Sequence, residues 1–228
     1  MSKKKSKVEP VSLVAIADQN STITEQYRTI RSNIQFTSVD KELQTMVVTS
    51  SGPSEGKSTT SANLAVVFAN SGKRVLLVDA DLRKPTVALT FQIPNVRGLS
   101  NLLGDRTADS KDYAQTTIID NLWVMPSGPK PPNPSEMLGS KRMEEVIAEL
   151  TQEFDLIIFD MPPVATVTDA QILAAKTDGT LLVVRERQIK KQNLVKAYDL
   201  LRIAKANILG VVYNAAKKAD DSSYYYYG

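Results

Sequence analysis

The feature that most constrains the fold of this chain is a series of short apolar runs that alternate with helical stretches. Strands that are apolar along their whole length belong to parallel sheets whose two faces are both covered by helices. The sequence therefore predicts a three-layer α/β domain with a mostly parallel central sheet and helices on both faces. The six runs are QTMVVTS, KRVLLVDAD, NLWVMPSG, FDLIIFDMPP, DGTLLVVRE and NILGVVYNAA.

One such domain accounts for nearly the whole chain. A length of 228 residues with 42% hydrophobic residues suits a single globular domain with a normal core. We expect a flexible basic tail over residues 1–20, a folded domain over 21–218 that opens with a helix over 21–37, and a flexible tyrosine-rich tail over 219–228. The N-terminus lacks the apolar segment of a secretory signal, and no run approaches the length of a membrane span.

The composition restricts the chemistry that the chain can perform. It contains no Cys and no His, which excludes disulfides, Cys/His zinc sites, thiol nucleophiles and histidine bases. Catalysis must rest on carboxylates, lysine, hydroxyl groups, backbone amides and a hard cation. The net charge of +3 is too small for a coat that binds nucleic acid, so we expect no nucleic-acid partner in a protein of a reducing compartment.

The strongest motif is SGPSEGKST at residues 51–59, which lies between a predicted strand and a predicted helix. Its end matches the phosphate-binding P-loop pattern G-x-x-x-x-G-K-[ST], although Ser51 stands where the pattern has its first glycine. Backbone amides at the start of a helix attract phosphate, the lysine reaches the β- and γ-phosphates, and the hydroxyl of Ser58 would ligate Mg²⁺. The predicted nucleotide-binding residues are Gly52, Pro53, Ser54, Glu55, Gly56, Lys57, Ser58 and Thr59.

Carboxylates follow two of the other apolar runs. Asp79 and Asp81 end the second run, and Asp160 ends the run IIFD. In an open α/β sheet the carboxyl ends of the strands face the ligand crevice, so we expect these three side chains near the P-loop. They could hold Mg²⁺ and its waters, or one could accept a hydroxyl proton; a helix cap is the structural alternative for Asp81.

Two further patterns lie outside this edge of the sheet. Four tyrosines, Tyr224, Tyr225, Tyr226 and Tyr227, stand in the last five residues, where exposure of so many aromatic side chains calls for a reason beyond stability. In the first helix Glu25, Arg28 and Arg31 are spaced three residues apart and form one slanted row, which by spacing alone is typical of an ordinary exposed face.

Taken together, SGPSEGKST, LLVDADLRKP, IIFDMPP and the tyrosine-rich end resemble the bacterial tyrosine kinases of the CpsD/CapB type. These proteins govern the synthesis of capsules and exopolysaccharides. EQYRTIRSN is similar to the E-x-x-R-x-x-R oligomerisation motif of this family, and PPNPSEML resembles another of its stretches. The resemblance covers nearly the whole chain and implies a P-loop NTPase fold of the MinD/ParA kind.

The resemblance also implies roles for single residues. Lys57, Asp79, Asp81 and Asp160 would be catalytic in an ATP-dependent kinase, and Ser58 with the three aspartates would organise Mg²⁺. Asp81 is the candidate for activating the tyrosine hydroxyl, and Asn214 resembles a residue that contacts adenine in related ATPases.

The family role further implies partners. Tyr224–Tyr227 would be phosphorylated by a neighbouring subunit in a ring held by Glu25, Arg28 and Arg31. A membrane adaptor would activate the kinase at the inner face of the cell membrane, and a phosphotyrosine phosphatase would reverse the modification.

Two other functions remain open at this stage. A switch ATPase of the MinD/ParA type would carry a signature lysine five residues before Lys57, but that position is Gly52. A regulator that binds ATP without transferring phosphate is the second alternative, and the presence of all three aspartates argues against it.

Overall fold

The computed structural model describes residues 9–37, 42–186 and 190–216 of the chain. Its strands are β1 (Thr45–Ser50), β2 (Val75–Asp79), β3 (Gln115–Thr116), β4 (Leu122–Met125), β5 (Leu156–Asp160), β6 (Gly179–Arg185) and β7 (Ile208–Asn214). Its α-helices are α1 (Val14–Ala17), α2 (Thr22–Phe36), α3 (Lys57–Ala69), α4 (Val87–Thr90), α5 (Leu99–Gly104), α6 (Pro134–Gly139), α7 (Lys141–Glu153), α8 (Asp169–Ala174) and α9 (Lys191–Ile203), and a 3-10 helix spans Ser110–Tyr113.

The strands form one sheet in the order β3-β4-β2-β5-β1-β6-β7. All neighbours pair in parallel except β3, which runs antiparallel to β4 at one edge. The predicted parallel sheet with six apolar strands is therefore confirmed. The additional strand β3 has only two residues, too few to show an alternating or apolar pattern in the sequence.

Side chains from the central strands point alternately into two apolar clusters, one on each face of the sheet. Met46 and Val48 of β1 pack toward α2 and α3, whereas Val47 between them packs toward α5, α7, α8 and α9. Both clusters are fully buried around the central strands, and α3 is buried along nearly its whole length. This two-sided burial is the physical reason that the strands are apolar throughout.

The structure differs from the expected flexible tail over residues 1–20, because residues 11–16 pack against the domain. The amide of Ala15, which is 1% exposed, donates to the side chain of Asn63 at 3.0 Å, and Asn63 donates to the carbonyl of Ser12 at 2.8 Å. The amide of Val11 also donates to the hydroxyl of Thr90 at 3.1 Å. A buried amide in α3 thus holds this segment, and residues 1–8 lie outside the described part.

The helix predicted over residues 21–37 is present as α2. Ser21 is its N-cap and accepts a hydrogen bond from the amide of Thr24 at 3.2 Å. Tyr27 and Ile34 are buried against the sheet, whereas Phe36 is 74% exposed at the end of the helix. In the described ranges, no helix is both long and apolar enough to cross a membrane.

Candidate active site

The sheet order brings the three motif-bearing strands together. Strand β5 lies between β1 and β2, so the P-loop that follows β1 stands beside the carboxylates that end β2 and β5. Asp79 and Asp160 are direct partners in the register of β2 and β5. The expected cluster at the carboxyl edge of the sheet is therefore formed by side chains that are 0% to 4% exposed, Asp79, Asp81 and Asp160.

The P-loop enters α3 through a glycine that no other residue can replace without strain. Gly56 is the N-cap of α3 and has a φ of +94°, in the left-handed region. A Cβ atom on Gly56 would lie 2.0 Å from the Nδ2 atom of Asn214. The conformation and the close contact both require glycine at this position.

A carboxylate inside the loop explains why Ser51 replaces the first glycine of the pattern. Glu55 is 5% exposed and accepts hydrogen bonds from the hydroxyl of Ser51 at 2.8 Å and from the amide of Gly52 at 2.9 Å. The serine therefore ties the start of the loop to its end. Sequence reasoning assigned Gly52 and Glu55 to nucleotide binding but missed their bond to each other and to Ser51.

The ammonium group of Lys57 lies among acidic partners. Its Nζ atom is 3.0 Å from Oδ2 of Asp81 and 3.5 Å from Oδ2 of Asp160. Burial alone would lower the pKa of Lys57, but the negative charges of Asp160 and Asp81 outweigh it and raise this pKa above its ordinary value. Lys57 is therefore firmly in its charged form.

Asp160 joins β5 to the first turn of α3. Its Oδ2 atom accepts a hydrogen bond from the hydroxyl of Ser58 at 2.6 Å, and its Oδ1 atom accepts one from Ser61 at 3.0 Å. Burial raises the pKa of Asp160, while the charge of Lys57 and the bond from Ser58 work in the opposite direction. Ser61 was not predicted; its position one helical turn after Lys57 is the signal that could have indicated it.

Asp79, the last residue of β2, has a different environment from Asp81, two residues later. Its Oδ2 atom accepts hydrogen bonds from the amides of Thr86 and Val87, both at 2.9 Å, and so anchors the start of α4. Its buried Oδ1 atom has no hydrogen-bond partner in the structure. Burial, followed by the charge of Asp160, raises the pKa of Asp79 to about 7.

The side chains at this edge fit a magnesium–nucleotide complex. Mg²⁺ prefers oxygen ligands and is usually held by one or two carboxylates together with substrate phosphates. Over the residues that the structure describes, no three acidic side chains form a ready-made metal cage. The hydroxyl of Ser58 and the carboxylates of Asp160 and Asp79, one of whose oxygens lacks a partner, are hard donors of the required kind.

An ion pair that sequence reasoning missed holds the loop after Asp81. Arg83 donates from Nε and Nη2 to the two carboxylate oxygens of Asp169, at 2.8 and 2.9 Å, and Ser135 donates to the same carboxylate at 2.6 Å. Burial works to raise the pKa of Asp169, but these hydrogen bonds outweigh it and lower the pKa. The loop is thereby tied to the first turns of both α6 and α8.

Other predicted residues lie apart from this cluster. Asn214 ends β7 beside the P-loop, where its Nδ2 atom donates to the carbonyl of Glu55 at 3.0 Å. On α2, Glu25 and Arg28 form an exposed ion pair, but Arg31 turns inward and donates to the carbonyl of Val67 at 3.2 Å. The four tyrosines at 224–227 lie outside the described residues.

Comparisons with known proteins agree with this geometry. Residues 47–209 match the family model described as an AAA domain. The chain is 45% identical to tyrosine-protein kinase YwqD of Bacillus subtilis, over 95% of this chain and 91% of the relative. It is 41% identical to the putative tyrosine-protein kinase CapB of Staphylococcus aureus, over 100% and 98%. It also matches tyrosine-protein kinase Wzc of Salmonella typhimurium at 34% identity, over 94% of this chain but only 30% of that longer relative.

Solved structures show the same fold. The chimerical protein CapA2B2 superimposes with a TM-score of 0.86 at 39% identity, over 92% of this chain and 94% of that chain. The cell-division ATPase MinD of Pyrococcus furiosus gives a TM-score of 0.64 at 28% identity, over 78% and 74%. The predicted P-loop NTPase fold is therefore confirmed.

Proposed function

Because the chain belongs to the family of bacterial tyrosine-protein kinases, we propose that it transfers the γ-phosphoryl group of ATP to the C-terminal tyrosines of other copies of the same chain. The acceptors are Tyr224, Tyr225, Tyr226 and Tyr227 of a neighbouring subunit. Several relatives carry the name tyrosine-protein kinase, and their similarity extends over almost the whole of this chain. Control of capsular or exopolysaccharide synthesis is the process that this reaction serves.

The observation that carries the proposal is the convergence of Lys57 with Asp81 and Asp160 at the base of the P-loop. Phosphoryl transfer depends on positioning and on stabilisation of charge, which amides, a lysine and carboxylates supply without histidine or cysteine. Phosphate oxygens of a bound nucleotide would compete with Asp81 for the ammonium group of Lys57. Asp81 would then be available to accept the proton of a tyrosine hydroxyl.

Mg²⁺ bound with ATP would neutralise phosphate charge, and Ser58, Asp160, Asp79 and Asp81 are the residues that would hold the ion and its waters. Ser58 and Asp160 are already in contact, so the P-loop and β5 present their oxygens side by side. Asn214, at the rim of the loop, would contact the adenine. Each of these roles relies on oxygen or amide groups that the structure brings to one edge of the sheet.

The same proposal includes assembly and recruitment. Glu25 and Arg28 are exposed on α2 and available to a neighbouring subunit, so we assign them to a ring-shaped homo-oligomer. A membrane adaptor recruits this cytoplasmic protein to the cell membrane. The support for this is that the region of Wzc similar to this chain makes up only 30% of that longer relative. A phosphotyrosine phosphatase reverses the reaction, and no nucleic acid is involved.

A switch ATPase is the second candidate, because the fold is shared with MinD. Such ATPases place a signature lysine five residues before the P-loop lysine, and this chain has Gly52 there. The amide of Gly52 is engaged with Glu55, and a tyrosine-rich end has no part in a switch of that kind. The kinase is therefore the better-supported function.

Peptide mass spectrometry of the full chain after incubation with Mg²⁺-ATP tests the proposal, with and without the cytoplasmic peptide of the adaptor. We expect phosphate on Tyr224–Tyr227 in the wild type and none in Lys57→Met, because loss of the ammonium group removes the contact to the phosphates. Hydrolysis of ATP with an unmodified tail, even with the adaptor peptide, would favour the switch ATPase. Neither hydrolysis nor phosphate would leave a binding module.

A further inference from the structure

Strands β6 and β7 end side by side next to the P-loop, and each contributes one side chain to it. Arg185 and Asn214 are partners in the register of these strands. The guanidinium of Arg185 donates to the carbonyl of Ser54 at 3.3 Å, and the amide of Asn214 donates to the carbonyl of Glu55 at 3.0 Å. Two neighbouring side chains therefore hold two consecutive carbonyls of the loop.

Holding these carbonyls also fixes the direction of the amides that follow them. In a trans peptide the C=O of one residue and the N–H of the next point in opposite directions. With the carbonyls of Ser54 and Glu55 turned toward β6 and β7, the amides of Glu55 and Gly56 face the other way. Ser54 and Gly56 have φ values of +62° and +94°, and alternation of this kind turns successive amides into an anion-binding concavity.

The side chain of Asn214 also shapes the point at which the chain leaves the sheet. Its Oδ1 atom accepts a hydrogen bond from the amide of Ala215 at 2.8 Å, and Ala215 has a left-handed φ of +55°. The carbonyl of Asn214 accepts from the amide of Glu186 at 3.0 Å, which joins the ends of β6 and β7. The sequence from residue 217 onward, with its four tyrosines, begins directly after this turn.

We propose that Arg185 and Asn214 form a clamp that keeps the P-loop amides directed at phosphate and couples nucleotide binding to the start of the tyrosine-rich tail. The clamp rests on the proposed function, since it presupposes a nucleotide in the P-loop. In the clamp both are positioning residues, which act through the carbonyls of Ser54 and Glu55. Because Asn214 is also assigned to the adenine, Arg185→Ala is the variant that tests the clamp separately from that contact. Asn214 lies so close to Gly56 that a Cβ there would be 2.0 Å from its Nδ2 atom, so a movement of the loop would displace the side chain that also holds the amide of Ala215.

Titration of the full chain with a fluorescent ADP analogue in Mg²⁺ buffer tests the first part. We expect Asn214→Ala and Arg185→Ala each to weaken binding about tenfold, because each removes a hydrogen bond that orders the loop. The affinity of the double variant for the ADP analogue should fall about 20- to 30-fold. This is less than the product of the two single losses, since both residues order the same segment. Arg185→Lys keeps a donor and should restore part of the affinity.

Asn207→Ala is the matched control. Asn207 precedes β7 at the opposite end of the strand and also donates its amide to a carbonyl, that of Asp178, at 2.6 Å. The variant Asn207→Ala loses an equivalent hydrogen bond far from the P-loop, so its affinity for ADP should equal that of the wild type. Thermal unfolding without nucleotide should shift no more in Asn214→Ala than in Asn207→Ala.

Trypsin tests the link to the tail, because Lys217 and Lys218 follow the clamp in the sequence. Mg²⁺-ADP should slow cleavage after these lysines about threefold or more in the wild type, since proteolysis requires local opening of the chain. In Asn214→Ala the rate of cleavage after these lysines should be the same with saturating Mg²⁺-ADP as without nucleotide.

Unchanged ADP affinity in Asn214→Ala and Arg185→Ala, in a wild type that binds ADP and phosphorylates its tail, would overturn the clamp and leave the kinase intact. Persistent protection of the lysines in Asn214→Ala would overturn the coupling to the tail. A wild type that binds no nucleotide would overturn the proposed function, and the clamp with it.

Discussion

At the scale of single residues, the ionised form of Asp79 destabilises the folded protein electrostatically. This carboxylate is 0% exposed, faces Asp160 across the register of β2 and β5, and has one oxygen without a hydrogen-bond partner. Burial and the neighbouring charge raise its pKa to about 7. Proteins accept such a cost mainly where a charge is used, because an uncompensated buried carboxylate destabilises the fold.

This cost predicts that Asp79→Asn stabilises the metal-free protein at pH 8. A raised pKa means that the folded state binds the proton more tightly, so the stability present at low pH is lost as the pH rises toward and through 7. The amide keeps an oxygen for Thr86 and Val87 and carries no charge. We expect a gain of roughly 2 to 4 kcal/mol at pH 8 and little change at pH 4, measured by urea unfolding in EDTA without nucleotide.

Asp155→Asn is the control with the opposite sign. Hydrogen bonds from Arg74 lower the pKa of Asp155, so its charge contributes stability above its ordinary pKa that is lost as the pH falls. The asparagine variant should be slightly less stable than the wild type at pH 8. A variant Asp79→Asn that is no more stable than the wild type at pH 8 would show that this carboxylate is not strained in the folded chain.

At the scale of elements, the loop after β2 depends on a tie between three segments. Arg83 lies two residues after Asp81 and reaches Asp169 at the start of α8, while Ser135 at the start of α6 shares the same carboxylate. Asp169 is 0% exposed, so this aspartate needs its partners to remain charged inside the protein. The tie therefore holds the loop that presents Asp81 to Lys57.

We predict that Arg83→Gln destabilises the fold by about 2 to 3 kcal/mol, because it leaves the charge of Asp169 buried with one partner fewer. The loss is smaller than for a fully buried pair, because the side chain of Arg83 is 36% accessible and solvent screens its charge. Addition of Asp169→Asn to Arg83→Gln should recover part of the loss. Urea unfolding of the two single variants and the double variant measures this coupling.

Arg74→Gln supplies a comparison at an exposed ion pair. Arg74 and Asp155 are 50% and 34% exposed, and breaking such a pair costs about 1 kcal/mol or less. Equal losses of stability in Arg74→Gln and Arg83→Gln, with no recovery in the double variant, would contradict a special role for Asp169.

Tyrosine phosphorylation should fall in Arg83→Gln more than ADP affinity does, since the loop of Asp81 moves while the P-loop stays.

These elements also show what the sequence could predict and what it could not. Apolar runs and a P-loop pattern are local signals, so the six long strands and the cluster of Lys57 with the aspartates followed from them. The bond between Arg83 and Asp169 joins residues 86 positions apart, and no local pattern records it. The packing of residues 11–16 likewise involves a buried asparagine in α3, Asn63, which resembles any polar helix residue in the sequence.

At the scale of the whole molecule, one edge of the sheet holds both the chemistry and the origin of its proposed substrate. The P-loop follows β1, the carboxylates end β2 and β5, and β7 ends beside Glu55 before the chain continues to the tail. Glu25 and Arg28 are on α2, which packs against the same helix, α3, that begins at the P-loop. The surface proposed for assembly, on α2, and the P-loop end of the sheet are therefore connected through one helix, α3.

Charge then predicts how phosphorylation affects the proposed assembly. The chain carries a formal net charge of +3, and four phosphotyrosines would add roughly −6 to −8, which reverses its sign to about −3 to −5. Subunits whose net charges have the same sign repel one another, and salt screens that repulsion. We expect fully phosphorylated chains to dissociate at about 50 mM salt and to reassociate at about 500 mM, as measured by light scattering after size-exclusion chromatography.

The control is a chain in which Tyr224–Tyr227 are replaced by phenylalanine, which should remain assembled at both salt concentrations after incubation with Mg²⁺-ATP. Arg28→Glu should be monomeric at either concentration, because it places like charges at positions 25 and 28 of α2 without touching the core. Phosphorylated chains that stay assembled at low salt would show that repulsion between tails does not govern the assembly. Dissociation that high salt fails to reverse would instead indicate a conformational change, because screening removes only the electrostatic part of the repulsion.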